Sequence, residues 1–158
     1  EAWVVAIGTL VAGALAFEAM RRNFVREWDA VQERIEEQIA RGIPSTRIVL
    51  AGFSQGGAIA LYSGLRFPHP LAGIMCLSAP IPYAGRLMQE AHAANARISI
   101  FMAHGTNDGV VPFAVGESAY HLLTAGGAQI EWHAYNMEHS VAPAEIKDIG
   151  KWLSEVLK

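Results

Sequence analysis

One stretch constrains this chain more than any other: the apolar run Ile48-Val49-Leu50-Ala51 leads directly into Gly52-Phe53-Ser54-Gln55-Gly56-Gly57, and a helix-forming segment follows. The flanking glycines allow a sharp, strained turn between strand and helix, one that pushes the serine Oγ out above the sheet. The pattern therefore predicts a strand, a sharp turn carrying Ser54, and a helix packed back against the strand. Ser54 also falls at the helix N-terminus, where unpaired backbone N–H groups favour negative charge.

The rest of the composition bounds what this unit belongs to. A chain of 158 residues supports one domain with a real core and is too short for two ordinary ones. Apolar residues make up 52% and charged residues 17%, and the net charge is -3 with no Lys/Arg cluster, which argues against a nucleic-acid surface. The single cysteine, Cys76, lies in Ile74-Met75-Cys76-Leu77 and reads as a buried strand thiol. With no disulfide available, a reducing cytoplasm is the expected compartment. Residues 2–17 carry no charge, yet as a helix they fall short of the roughly 20 residues that span a bilayer, and no basic region precedes them as in a signal peptide. Burial against the domain or a second copy is the expectation for this segment. Membrane contact, which Arg21 and Arg22 would suit, is the alternative.

From residue 17 to 41 the apolar positions Met20, Phe24, Trp28, Val31, Ile35 and Ile39 recur at spacings of three and four, predicting one long amphipathic helix stopped by Gly42 and Pro44. Strands are expected over 47–53, 71–77, 97–103 and 128–135. Helices are expected over 55–66, within 80–95, and over 113–124 and 143–157. The expectation is one α/β domain over residues 1–158, with segment 1–16 apart, helix 17–41, and a core over 47–158. Strands apolar on both faces and alternating with helices predict a three-layer arrangement: a mainly parallel sheet with helices on each side.

In such a sheet, functional residues gather where strands end. Ser54, Asp108 and His139 lie at three such ends, in the chain order Ser…Asp…His. Singly, each has a plain reading: a helix cap, a turn residue between Asn107 and Gly109, a loop histidine. Together they have the roles that nucleophilic catalysis requires. A serine hydroxyl needs a base to take its proton, here His139, and a carboxylate, here Asp108, to hold the imidazole and stabilise its cation. His104, four residues before Asp108, reads as a strand-end residue that positions the acid's loop. The remaining histidines lack ligand spacing, and neither a phosphate-cradling loop nor a dinucleotide fingerprint is present, so no metal and no cofactor is expected.

Gly52-Phe53-Ser54-Gln55-Gly56-Gly57, His104-Gly105-Thr106-Asn107-Asp108-Gly109-Val110-Val111-Pro112 and Met137-Glu138-His139 resemble the phospholipase/carboxylesterase family, which includes the acyl-protein thioesterases. The resemblance covers residues 35–158. It implies an α/β-hydrolase fold and hydrolysis of carboxylic esters or thioesters through an acyl-serine, with Ser54 as nucleophile, Asp108 as acid and His139 as base. It implies further that the backbone N–H of Gln55 is one oxyanion donor and that the second comes from a loop upstream. That loop and the first strands of the family have no match here, so the sheet is expected to be reduced on its N-terminal side. Losing such a donor costs about 10²–10³ in rate. The strand carrying Ser54 would then have an open edge, and Trp3-Val4-Val5-Ala6-Ile7, or the same segment of another copy, is expected to cover it. Phe53, Leu77, Val110 and Val111 are the expected walls of the substrate site. The functional expectation is a serine esterase for small short-chain esters, thioesters being within reach. The alternative is a weakly active or inactive relic that acts through self-association or membrane contact of its apolar N-terminal segment.

Overall fold

A parallel strand cannot be reached by a tight turn from its neighbour, so each pair needs a crossover connection, and here helices supply them. The computed structural model describes residues 3–8, 15–82 and 84–158, and the side chains of 27–82 and 84–158. Its elements are β1 Trp3–Gly8, α1 Leu15–Ala40, β2 Ile48–Phe53, α2 Gln55–Arg66, β3 Gly73–Leu77, α3 Ala84–Leu87, β4 Ser99–Gly105, α4 Phe113–Ala125, β5 Gln129–Tyr135 and α5 Pro143–Val156. The strands form one sheet in the order β1-β2-β3-β4-β5, and every pair is parallel. Because the order is sequential and crossovers share one hand, the connecting helices fall on one face.

The strand residues alternate strictly between two cores. Ile48, Leu50, Ile74, Cys76, Ile100 and Met102 point into the larger core, beneath α1, α2, α3 and α4. Val49, Ala51, Met75, Leu77, Phe101 and Ala103 point to the opposite face, where α5 lies. Helix α2 is apolar all round and is buried from Gln55 to Leu65, as a central helix must be. On the other face Trp152 of α5 packs at 5.8 Å from the Phe101 ring and donates its indole N–H to Ser99 Oγ at 3.0 Å. It fits because Gly73 has no Cβ, which would stand 2.7 Å from the indole.

The N-terminal segment is a strand where it is described. Trp3 pairs with Ile48 and Gly8 with Phe53, so β1 covers the edge of β2 that the sequence left open. Several boundaries move, among them the starts of β3 and β4, which fall two residues late at Gly73 and Ser99. The first helix begins at Leu15, two residues early; Ser45–Arg47 is a 3₁₀ turn ahead of a strand that starts at Ile48; and the helix expected within 80–95 shrinks to Ala84–Leu87. Pro80, Pro82 and Gly85 explain the last, since proline removes a donor and glycine weakens a helix interior. No helix among the described residues is long and apolar enough to cross a membrane.

Pairing with β1 predicts that the backbone amides of Ile48 to Leu50 exchange slowly with solvent deuterium. Exchange there at the rate of an open strand edge would contradict the pairing.

Candidate active site

All five strands run the same way, so their carboxyl ends share one edge of the sheet, and Ser54, Asp108 and His139 sit behind β2, β4 and β5 on that edge. Ser54 adopts φ 54° and ψ −127°, a region that residues with a Cβ rarely enter. Its N–H donates to the Leu77 carbonyl at the end of β3 (2.8 Å), and its carbonyl accepts from Gly57 N (3.0 Å). The turn closes only without side chains at its base. A Cβ on Gly52 would overlap the Gly56 carbonyl group, and one on Gly57 would stand 2.9 Å from both Ala79 Cβ and the Gly52 carbonyl oxygen. The first amides of α2, those of Gln55 and Gly56, have no acceptor within the helix.

The loop behind β4 is fastened to the chain leaving β5. Thr106 N–H donates to Tyr135 O at 2.8 Å and Asn107 N–H to Met137 O at 3.1 Å, and the Asn107 amide donates to Asn136 Oδ1 at 2.6 Å. This brings Asp108 and His139 together: His139 Nδ1 lies 2.7 Å from Asp108 Oδ2. An ionised carboxylate only accepts, so Nδ1 carries the proton and Nε2 has the free lone pair. The second oxygen, Oδ1, accepts the N–H groups of Val110 and Val111, both at 2.8 Å. Burial of Asp108 works against its charge. The bond from His139, the two amides and the electrostatic attraction of His139 together outweigh it and hold the carboxyl below its ordinary value of 3.8. His104, also buried, reaches both Val111 O (2.8 Å) and Asp108 Oδ2 (3.4 Å).

His139 meets the elbow through Phe53, whose ring lies 4.7 Å from the imidazole. Among the described residues Ser54 Oγ makes no hydrogen bond, an open arrangement common in sites without substrate. Of the residues expected to wall the substrate site, Val110 is 55% exposed and Phe53 half-buried, whereas Leu77 and Val111 are buried. The last two contribute through their backbones, Leu77 to the Ser54 amide and Val111 to the Asp108 carboxylate. Two features had no sequence signal. Ser78, behind β3, takes φ 46° with no glycine to mark it. Glu145 in α5 is fully buried, and its Oε2 accepts from Ala142 N at 3.2 Å, fixing the segment after His139. Among the described residues no group of three His, Cys, Asp or Glu could hold a metal.

The profile of the Phospholipase/Carboxylesterase family matches residues 14–157. The chain belongs to this family. Acyl-protein thioesterase 1 of Cryptococcus neoformans is 38% identical over 143 residues, covering 82% of this chain and 60% of that protein. The crystal structure of Arabidopsis thaliana SOBER1 superposes with a TM-score of 0.80 at 31% identity, over 85% of this chain and 65% of the other. The Bacillus cereus carboxylesterase shares the fold at a TM-score of 0.71 and 22% identity. The fold is thus that of the α/β-hydrolases, and the chain spans about 60% of the length of the curated relatives it matches.

Two outcomes follow from the geometry. Gly52→Ala should lower stability by about 1–3 kcal/mol or more in chemical denaturation, because the strand and helix backbones cannot both stay in place. Asp108, depressed in the folded state, contributes stability that is present above 3.8 and lost as pH falls through the lower folded value. Denaturation of wild type and Asp108→Asn should therefore differ at neutral pH and converge only once pH has fallen below the lowered folded value.

Proposed function

We propose that this chain is a carboxylic ester hydrolase that works through an acyl-serine at Ser54. The observation that carries the reading is the 2.7 Å bond between His139 Nδ1 and Asp108 Oδ2, set beside a serine in a strained turn at a helix N-terminus. That bond leaves His139 Nε2 free to accept the Ser54 proton as Oγ attacks the ester carbonyl. The negative charge on the tetrahedral oxygen develops beside the Gln55 amide, and the resulting imidazolium lies against Asp108. Collapse expels the alcohol with the proton from His139, and water repeats the sequence to release the acid. The second oxyanion donor required by the fold would come from the strand beside β2. β1 occupies that place, and its last residue, Gly8, is level with Phe53, one strand spacing (about 4.8 Å) away.

The acyl group would lie against Val110 and Phe53, the two candidate wall residues that offer side-chain surface, with no metal or cofactor taking part. Two side chains offer little surface to a long acyl chain, which suits small short-chain esters. Thioesters follow the same chemistry, and the fungal relatives bear the name of thioesterases.

Hydrolysis of p-nitrophenyl esters from acetate to octanoate is the test. Turnover should fall with chain length and vanish in Ser54→Ala, and a fluorophosphonate should label Ser54. Asp108→Asn should lower kcat by about 10⁴, because the imidazole loses its tautomer. A folded sample with no turnover above Ser54→Ala would overturn the reading and leave the chain as an inactive relic of its family.

A further inference from the structure

His104 is buried to 1% exposure at the end of β4, and its ring is held on three sides. The α4 backbone at Gly116 presses on the Nδ1 edge so closely that a Cβ there would overlap the nitrogen. The Phe113 ring meets it edge-on at 6.1 Å. The remaining edge, at Nε2, faces two acceptors, Val111 O at 2.8 Å and Asp108 Oδ2 at 3.4 Å. A carbonyl oxygen can only accept, so Nε2 carries the proton. We infer that His104 is a positioning residue for Asp108, its Nε2–H holding the Val111 carbonyl beside the carboxylate oxygen that His139 uses, which lies 3.4 Å from Nε2.

Asp108 and Val111 are the two ends of one tight loop. The Val110 and Val111 amides reach back to Oδ1, and His104 closes the loop from the other side by holding Val111 O. Asp108 then receives donors at both oxygens and has one orientation left in which each is satisfied, the one that presents Oδ2 to His139. Without the His104 donor, Val111 O is a buried acceptor with no partner. The turn that carries the Val110 and Val111 amides then loses its hold from that side, and the carboxylate they orient can shift with it. His104 does not touch the reacting atoms; it acts through Asp108.

This inference rests on the serine-hydrolase reading for its effect on rate, and on geometry alone for its effect on the His139 hydrogen bond. His104→Phe preserves the ring's shape against Gly116 and removes the donor. His104→Gln returns an N–H near the Nε2 position, and His104→Asn is too short to do so. With p-nitrophenyl acetate, His104→Phe should lower kcat by about 10²-fold with KM unchanged, and His104→Gln should recover most of the loss. In proton NMR the far-downfield signal of His139 Nδ1–H, identified by its loss in His139→Gln, should move upfield in His104→Phe and return in His104→Gln. A folded His104→Phe protein with wild-type kcat and an unmoved signal would overturn the inference. So would equal losses in the Phe and Gln variants. Should the Phe variant fail to fold, the Gln and Asn variants decide: the signal should be kept in the first and displaced in the second, and the same displacement in both overturns the inference. The NMR result stands even if wild type hydrolyses no ester faster than Ser54→Ala, so failure of the activity and failure of the clamp are told apart.

Discussion

The close approach of two backbones at Gly52 is the constraint on which the rest of the site depends. There, with Gly57 opposite, the end of β2 and the first turn of α2 pass each other without a side chain between them. That contact forces Ser54 into a positive φ, and two backbone bonds hold it there, one to β3 and one to α2. A strained residue persists only where its surroundings fix it on several sides, at a local cost of about 1–3 kcal/mol. The wholly buried α2 anchors one side of the turn and the middle of the sheet anchors the other. The serine's placement at the sheet edge is thus a product of core packing elsewhere.

Much of this arrangement could be read from the chain. Ser54, Asp108 and His139 each follow a β-branched or apolar run, and their order along the sequence left few folds to consider. The elements bearing them moved by only a residue or two. The N-terminal run was harder, because an uncharged apolar stretch fits a buried helix or a strand equally well, and Trp3 to Gly8 becomes a strand only by pairing with β2, a contact more than forty residues distant in sequence. Leu77 and Val111 lie near the strand ends, which makes them wall candidates; both are buried, Leu77 among the side chains under α5. The left-handed Ser78 and the buried Glu145 have no compositional mark, as both depend on what folds against them.

The two faces of the sheet are built differently, and this shapes the site. Four helices cover one face because each is a crossover between neighbours. α5 follows the last strand, is no crossover, and passes to the other side. His139 lies in the short passage between the two faces. Its position is therefore set jointly by the Asp108 loop, by Phe53 beneath the ring, and by Glu145 and Trp152 at the root and body of α5.

The sequential strand order has a consequence in time. Each strand pairs with the one that precedes it in the chain, so a polypeptide emerging N-terminus first can extend the sheet one strand at a time, without waiting for distant segments. The serine turn needs only β2, α2 and the end of β3. The carboxylate arrives with β4, and the imidazole arrives with β5, leaving α5 to seat it. A growing chain would display the nucleophile well before the base that arms it, and reactivity would appear only once β5 and the passage into α5 are made.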